Sequence, residues 1–426
     1  MRGVALIALI GAAAAQAAPL RLAVVYGHNG GDGVRAPLRF AENDAARVAR
    51  ALTEVGGVAS GDLRLLQGRP VAELLAALDW AKERAATNPD TLLVVYVSSH
   101  ADAAGLLPAG EPLEWKKLKD RVAATNAKAR VTVVDACSSG GLIEAGARPA
   151  RAFAIQAEDT LTTRGDAFIT SSATAEPSLE AGVYQGAVFT QHLLSALRGA
   201  ADRSGDRKIS LEEAYRYAYE RTTEGESGQH PGYALRLSGY GELVMATVGE
   251  ERSGLLLPPG VEEVSVRAAD GGERLLFARR PEATRLAVPP GAWVVELTSK
   301  GATREGAVVV ARNAWASVDE GQLTAVARKS AMLVRLGDGP ARLCASVTVE
   351  RPDPGVASLK DELVRAFGAC EKGQSGLRAQ LDRRDGKVRV RASLPGGALL
   401  EREGPVADAG PIAQAVFQWA QNQPRP

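Results

Sequence analysis

Apolar residues follow two patterns in succession along this chain. In the first, short unbroken apolar runs alternate with stretches in which apolar positions recur every three or four residues. The runs are Leu20–Gly27, Leu63–Leu66, Leu92–Val97, Val131–Val134, Ala167–Thr170 and Leu243–Val248. Several are rich in β-branched residues and stop at small or polar ones, which reads as strands buried on both faces of a parallel sheet. Between them, Leu38–Val55 carries Ala41, Ala45, Val48, Ala49 and Leu52 on one stripe. The segment opened by Pro70 carries Val71, Leu74, Leu75, Leu78 and Ala81. Leu113–Ala124, Phe189–Leu197 and Ser210–Thr222 are the remaining helices. This alternation predicts a three-layer α/β sandwich with a mostly parallel sheet over residues 20–249.

After Gly249 the pattern changes to strand, turn, strand. Ser265–Arg267, Arg274–Phe277, Thr284–Val288, Trp293–Leu297, Val308–Val310 and Trp315–Val318 are spaced by Asp-Gly-Gly, Pro-Glu and Pro-Pro-Gly turns. Short strands at this spacing predict a small β-sandwich over residues 255–327. Residues 328–426 mix strands (Ala345–Glu350, Lys387–Ala392) with helices (Leu359–Phe367, Ile412–Ala420), a small α+β domain. Arg384-Asp385-Gly386-Lys387 reads as a hairpin turn.

The first residues carry an address rather than a fold. Met1-Arg2 supplies a positive start, Val4–Ala15 is apolar or small throughout, and Ala15-Gln16-Ala17 is an A-x-A cleavage site. Residues 1–17 are therefore expected to be a signal peptide, and the protein to be exported to a periplasm or beyond. No later stretch reads as a membrane span. Three cysteines, Cys137, Cys344 and Cys370, suit that compartment: an odd count suggests one bridge, with Cys344 and Cys370 able to form it, and Cys137 left over in a Gly/Ser-rich loop. Three buried thiols are the alternative. Lys and Arg number 51 against 50 Asp and Glu. No basic stripe points to nucleic acid.

Chemistry gathers at two strand ends. Leu92–Val97 runs into Ser98-Ser99-His100-Ala101-Asp102, and Val131–Val134 into Asp135-Ala136-Cys137-Ser138-Ser139-Gly140-Gly141. In open α/β sheets ligands sit outside the carboxyl ends of the strands. One crossover helix separates the two strands, so they can be neighbours. A thiol and an imidazole then meet at one edge, the minimal apparatus of a cysteine nucleophile with its base.

These motifs, with Leu38-Arg39-Phe40-Ala41-Glu42-Asn43-Asp44-Ala45 and Gly186-Ala187-Val188-Phe189-Thr190 in the same order, resemble the caspase and metacaspase cysteine peptidases. The resemblance spans about residues 20–249. It implies Cys137 as nucleophile and His100 as its proton partner. It also implies the backbone N–H groups of Cys137 and Ala101 as oxyanion donors. Asp135 would line the S1 pocket and select a P1 Arg or Lys, assisted by Asp44 and Ser171. For Asp135 a structural hydrogen bond at the strand end is the alternative, and for Asp44 a salt bridge on its helix. Glycine is usual where Ala101 stands, so a positive φ there would bring strain.

Other residues have plainer readings. His28 lies at the same sheet edge, His192 in a helix and His230 before Pro231. No spacing suggests zinc. Asp202–Glu213 places oxygen ligands near calcium-loop positions but lacks the turn glycine, and a capping box from Ser210 to Glu213 explains it more simply. No cofactor is expected, calcium being the one open possibility. The expected partner is a protein or peptide substrate. The alternative is a weak or inactive module of the same fold whose C-terminal domains bind an envelope partner.

Overall fold

The computed structural model describes residues 19–31, 35–144, 163–173, 176, 178–181, 186–224, 229–239, 242–269 and 274–326. Beyond those it describes 333–335, 345–349, 359–360, 363, 377–384, 387–393, 399–405 and 416. The expected signal peptide at residues 1–17, Cys344 and Cys370 lie outside the described residues. Six strands form the central sheet: β1 (Leu20–Gly27), β2 (Leu63–Gln67), β3 (Thr91–Ser98), β4 (Ala129–Asp135), β5 (Arg164–Thr170) and, further along the chain, Gly232–Ser238. The order is Gly232–Ser238, β5, β4, β3, β1, β2. All pairings are parallel except the one between β5 and Gly232–Ser238. Every residue of β3 is buried, as an unbroken apolar run in a central parallel strand requires.

Helices cover both faces. α1 (Ala41–Glu54) sets Ala45, Val48, Ala49 and Leu52 against Val25, Val94, Tyr96 and Val133. α2 (Val71–Ala85) and α3 (Trp115–Ala123) cover the other face, where Leu74, Leu78, Leu118 and Val122 meet Leu22, Val24, Leu93 and Val95. α4 (Val188–Ser195) and α5 (Leu211–Thr223) extend the α1 layer. The expected three layers are present. Leu243–Val248 was expected as the sixth strand of this sheet and is not. Val244–Thr247 instead pairs with Lys208–Ser210 in a separate ribbon. The sixth place belongs to Gly232–Ser238, an edge strand whose pattern is obscured by Arg236 and half-exposed neighbours. Ser210 and Glu213 form the expected capping box at the start of α5.

Two more strands follow β5 at its carboxyl end, β6 (Leu179–Ala181) and β7 (Gly186–Ala187); Gly232–Ser238 is β8. Beyond them, β9 (Val261–Ala268), β10 (Arg274–Arg279), β11 (Gly291–Ser299) and β12 (Ala302–Val310) belong to one five-stranded sheet. A three-stranded sheet of Arg285–Ala287, Gly254–Leu256 and Trp315–Ser317 accompanies it. The chain then reaches β13 (Leu333–Arg335), which pairs with β6. A last sheet orders Ala345–Val349, Leu377–Arg384, Lys387–Ser393 and Leu399–Pro405, with Arg384 opposite Lys387 as the predicted hairpin requires. Among the described residues no helix is long and apolar enough to cross a membrane.

β10 packs on the α4–α5 layer. The carbonyl of Phe277 accepts from Ser195 Oγ at 2.5 Å and from Gln191 Nε2 at 3.3 Å, and the Tyr217 hydroxyl donates to the Arg279 carbonyl at 2.5 Å. Leu276, Ala278, Val264 and Val295 share one apolar cluster with Leu193, Leu197 and Tyr217. Leu276→Ala should therefore cost about 2–5 kcal/mol. It should also lower a single melting transition seen by both far-UV and near-UV circular dichroism; separate transitions would show that the two units do not share a core.

Candidate active site

β3 and β4 lie side by side with Ser98 opposite Asp135. His100 and Cys137 each stand two residues beyond that pair. Equal offsets from one register pair bring imidazole and thiol off the sheet at the same edge. His100 is buried, and its Nε2 lies 2.8 Å from the Ala36 carbonyl. A carbonyl can only accept, so Nε2 carries the proton and Nδ1 is the basic nitrogen of the neutral ring. The Cys137 side chain is half-buried against Leu38, Ala41 and Ala187.

The turn after Cys137 is held tightly. Ser138 has φ +54°, a left-handed conformation that a serine adopts at a cost of order 1 kcal/mol. Its N–H donates to the Glu176 carbonyl at 3.0 Å. Before Cys137, Ala136 N–H donates to Ser171 Oγ at 3.2 Å, and Ser172 Oγ donates to the Ala136 carbonyl at 3.0 Å. Both sides of Cys137 are thus fixed to the loop that follows β5.

Ala101 sits in an antiparallel bridge with Leu106. The bonds of that bridge run from Asp102 N–H to the Gly105 carbonyl and from Leu107 N–H to the His100 carbonyl. They flank Ala101, so its own N–H points away from the ladder. Ala101 is not among the residues with positive φ, so the side chain that replaces the usual glycine brings no left-handed strain.

Three buried carboxyl groups lie behind Cys137. Asp135 accepts from Ser178 Oγ at 2.6 Å and Thr190 Oγ1 at 2.5 Å. Burial pushes its carboxyl above the usual range, and those hydroxyls pull it back. Asp44 accepts the Ala187 N–H at 2.7 Å and pairs with Arg47 at 3.3 Å. Burial holds it well above the usual range despite the arginine. Glu180 accepts the N–H of Phe40 at 2.9 Å and of Arg39 at 3.2 Å. Burial pushes it up to about 7 against those donors. Asp44 feels both other carboxylates, and Glu180 feels Asp135, as like charges. Gly186 is required here: a Cβ would lie 2.4 Å from Asp44 Oδ1.

The structure therefore gathers Cys137, His100, Asp135, Asp44 and Ser171 at one sheet edge. His28 shares the edge, donating its N–H to the Ser98 carbonyl and accepting the Gly30 N–H at Nδ1. His192 is buried in α4, where burial lowers its ring to about 3. His230 bonds Glu176 at the surface. Asp202 and Glu213 spend their oxygens on N–H groups of their own loop and helix start. Sequence reasoning missed Glu180, Ser178 and the role of Thr190. Thr190 was visible as the last residue of a recognised motif. Ser178 and Glu180 stand in a segment without periodicity.

A family model described as a caspase domain matches residues 20–237. Among solved structures, caspase-1 from Spodoptera frugiperda is 13% identical, covers 53% of this chain and 90% of its own, and superposes with a TM-score of 0.36. A structure titled "structure of pro-sf-caspase-1" is 14% identical over 57% of this chain and 98% of its own, with a TM-score of 0.37. No curated protein matches the chain.

Thr190→Val keeps the shape and removes one donor from Asp135. It should cost about 1–3 kcal/mol in urea denaturation at neutral pH. Thr190 favours the ionised carboxylate, so the penalty is present where Asp135 is charged and should fade as pH falls through its raised value. An equal penalty at acid pH would contradict this account.

Proposed function

The chain belongs to the caspase-domain family, and we propose that it is an exported cysteine endopeptidase with a Cys137–His100 dyad that cleaves after Arg or Lys. The observation that carries the specificity is the cluster of Asp135, Asp44 and Glu180, three carboxyl groups that burial pushes up, with Asp44 and Glu180 pushed further by their acidic neighbours. Arg47 pairs with Asp44, and the Arg39 guanidinium lowers Glu180. Buried like charges are costly in the empty site. A P1 guanidinium or ammonium relieves that cost and gains charge-assisted hydrogen bonds.

His100 Nδ1 takes the thiol proton, and the thiolate attacks the carbonyl carbon of the P1 residue. The developing oxyanion is received by the N–H groups of Cys137 and Ala101. His100, held by the Ala36 carbonyl, passes its proton to the leaving amine as the C–N bond breaks. Water then attacks the thioester, giving up a proton to His100 and releasing the acid. The A-x-A leader supports export.

Cys137→Ala should abolish hydrolysis of Arg-bearing peptides, and His100→Ala should be nearly as damaging, because residues acting as one unit are non-additive. Retained hydrolysis in purified Cys137→Ala protein would overturn the assignment. A positional peptide library should favour Arg and Lys at P1, and Asp135→Asn should cost at least ~2 kcal/mol of transition-state binding, more than tenfold in kcat/KM.

Glu180 gives the preference its own pH signature. It ionises as pH rises through about 7, so discrimination between P1 arginine and its neutral isostere citrulline should grow over that interval. Glu180→Gln should flatten the ratio of the two kcat/KM values. Taking the ratio cancels the titration of the dyad, so a ratio unaffected by pH would count against Glu180 as part of the pocket.

A further inference from the structure

β6 has two edges. One pairs with β7, with Glu180 opposite Ala187 and Ala181 opposite Gly186. The other pairs with β13, which returns from beyond the β-sheets of residues 254–325 to lie there: Leu333 opposite Ala181, Val334 opposite Glu180, Arg335 opposite Leu179. Without β13 that edge of β6 would be unpaired, a template for any extended peptide.

β6 is also part of the site. Ser178, the residue before it, donates to Asp135. Glu180 within it is one of the buried carboxylates. Glu176 further back receives the N–H of Ser138, next to the nucleophile. The antiparallel register gives the bound strand a direction: running from Leu333 to Arg335, it advances along β6 from Ala181 toward Ser178, Glu176 and the Cys137 turn. The residue at the end nearest the nucleophile is an arginine, the type that the acidic cluster would select.

We propose that the chain's own Leu333-Val334-Arg335 strand occupies the outer edge of β6 as a built-in competitor of the extended peptide that this site would take. The identity of the competitor as substrate-like rests on the peptidase reading above; the docking itself does not. The ligand class is an extended peptide with Arg or Lys at its leading end. Main-chain hydrogen bonds hold it, and the carboxylates select its cation. A strand docked nine-tenths of the time or more lowers the apparent affinity for an added peptide about tenfold or more, because only the remaining fraction is competent.

The test uses the full chain in the Cys137→Ala background, so that nothing is cut, and a fluorescent peptide of the sequence of residues 330–336. The added peptide should bind weakly to this protein. Val334→Pro, which removes a donor and resists strand geometry, should strengthen its binding at least about tenfold. Arg335→Glu leaves the backbone free to pair and should act in the same direction. Hydrogen exchange at the β6 N–H groups that face β13, which alternate with those that face β7, should be slow in the parent, speed up in Val334→Pro, and slow again when the peptide is added. With Cys137 restored, Val334→Pro should hydrolyse a short Arg peptide faster than the natural chain.

Exchange at β6 unaltered in both variants would overturn the docking. Faster exchange with neither tighter binding nor faster hydrolysis would overturn the competition. Tight binding to the variants with no hydrolysis of any basic peptide would support the docking edge and sink the peptidase reading instead.

Discussion

The buried carboxylate of Asp135 is the point at which three separate pieces of chain meet. It stands at the end of β4. Its donors come from Ser178, ahead of β6, and from Thr190, in the first turn of α4. Thr190 Oγ1 also lies 2.7 Å from the Tyr96 hydroxyl in β3. One carboxylate therefore registers two sheet strands, a loop and a helix against one another. The Cys137 turn follows two residues later and inherits that registration. Burial raises the Asp135 carboxyl above the usual range, and the Ser178 and Thr190 hydroxyls pull it back.

The neighbouring acids show the same compromise. α1 has no side-chain cap of its own at Phe40. Its entry is held instead by Glu180 from β6, whose carboxylate accepts the Arg39 and Phe40 N–H groups. Negative charge at a helix N-terminus is favourable, yet burial so close to Asp135 and Asp44 leaves Glu180 titrating near neutrality. Local rules are broken in this way at functional sites, and in the proposed reading a P1 cation would relieve the repulsion.

Much of the frame was legible because parallel strands announce themselves. β3 and β4 are apolar without alternation, and His100 and Cys137, the proposed dyad, each stand two residues beyond their ends. Helical stripes at Ala45, Val48 and Leu52 or at Leu74 and Leu78 were equally plain. The misassigned strand shows the limit. Val244–Thr247 and Gly232–Ser238 are both short, and burial pattern alone does not say which partner each will find. The sheet edge went to the more polar segment because an edge strand needs only one good face: Ala234 is buried, while Arg236 is exposed. Glu180 was hidden for a different reason. Its role depends on the chain folding back so that β6 touches the start of α1, a contact across about 140 residues of sequence.

The same non-locality explains why β13 had no signature. Leu333-Val334-Arg335 looks like any short apolar stretch ending in a charge. Its meaning comes from β6, whose register with β7 on one side leaves the other edge open to a strand. An open edge beside a nucleophile is a requirement and a hazard together. A substrate must be able to pair there, and so can any other strand of the right polarity. Filling it with a segment of the same chain removes the hazard at a high effective concentration. The strand must still be able to leave, and its three residues keep the docking small enough for exchange. What decides the occupant is then a difference in affinity. An added peptide competes with a tethered one along the same backbone edge, and in the tethered strand the residue opposite Leu179 is an arginine.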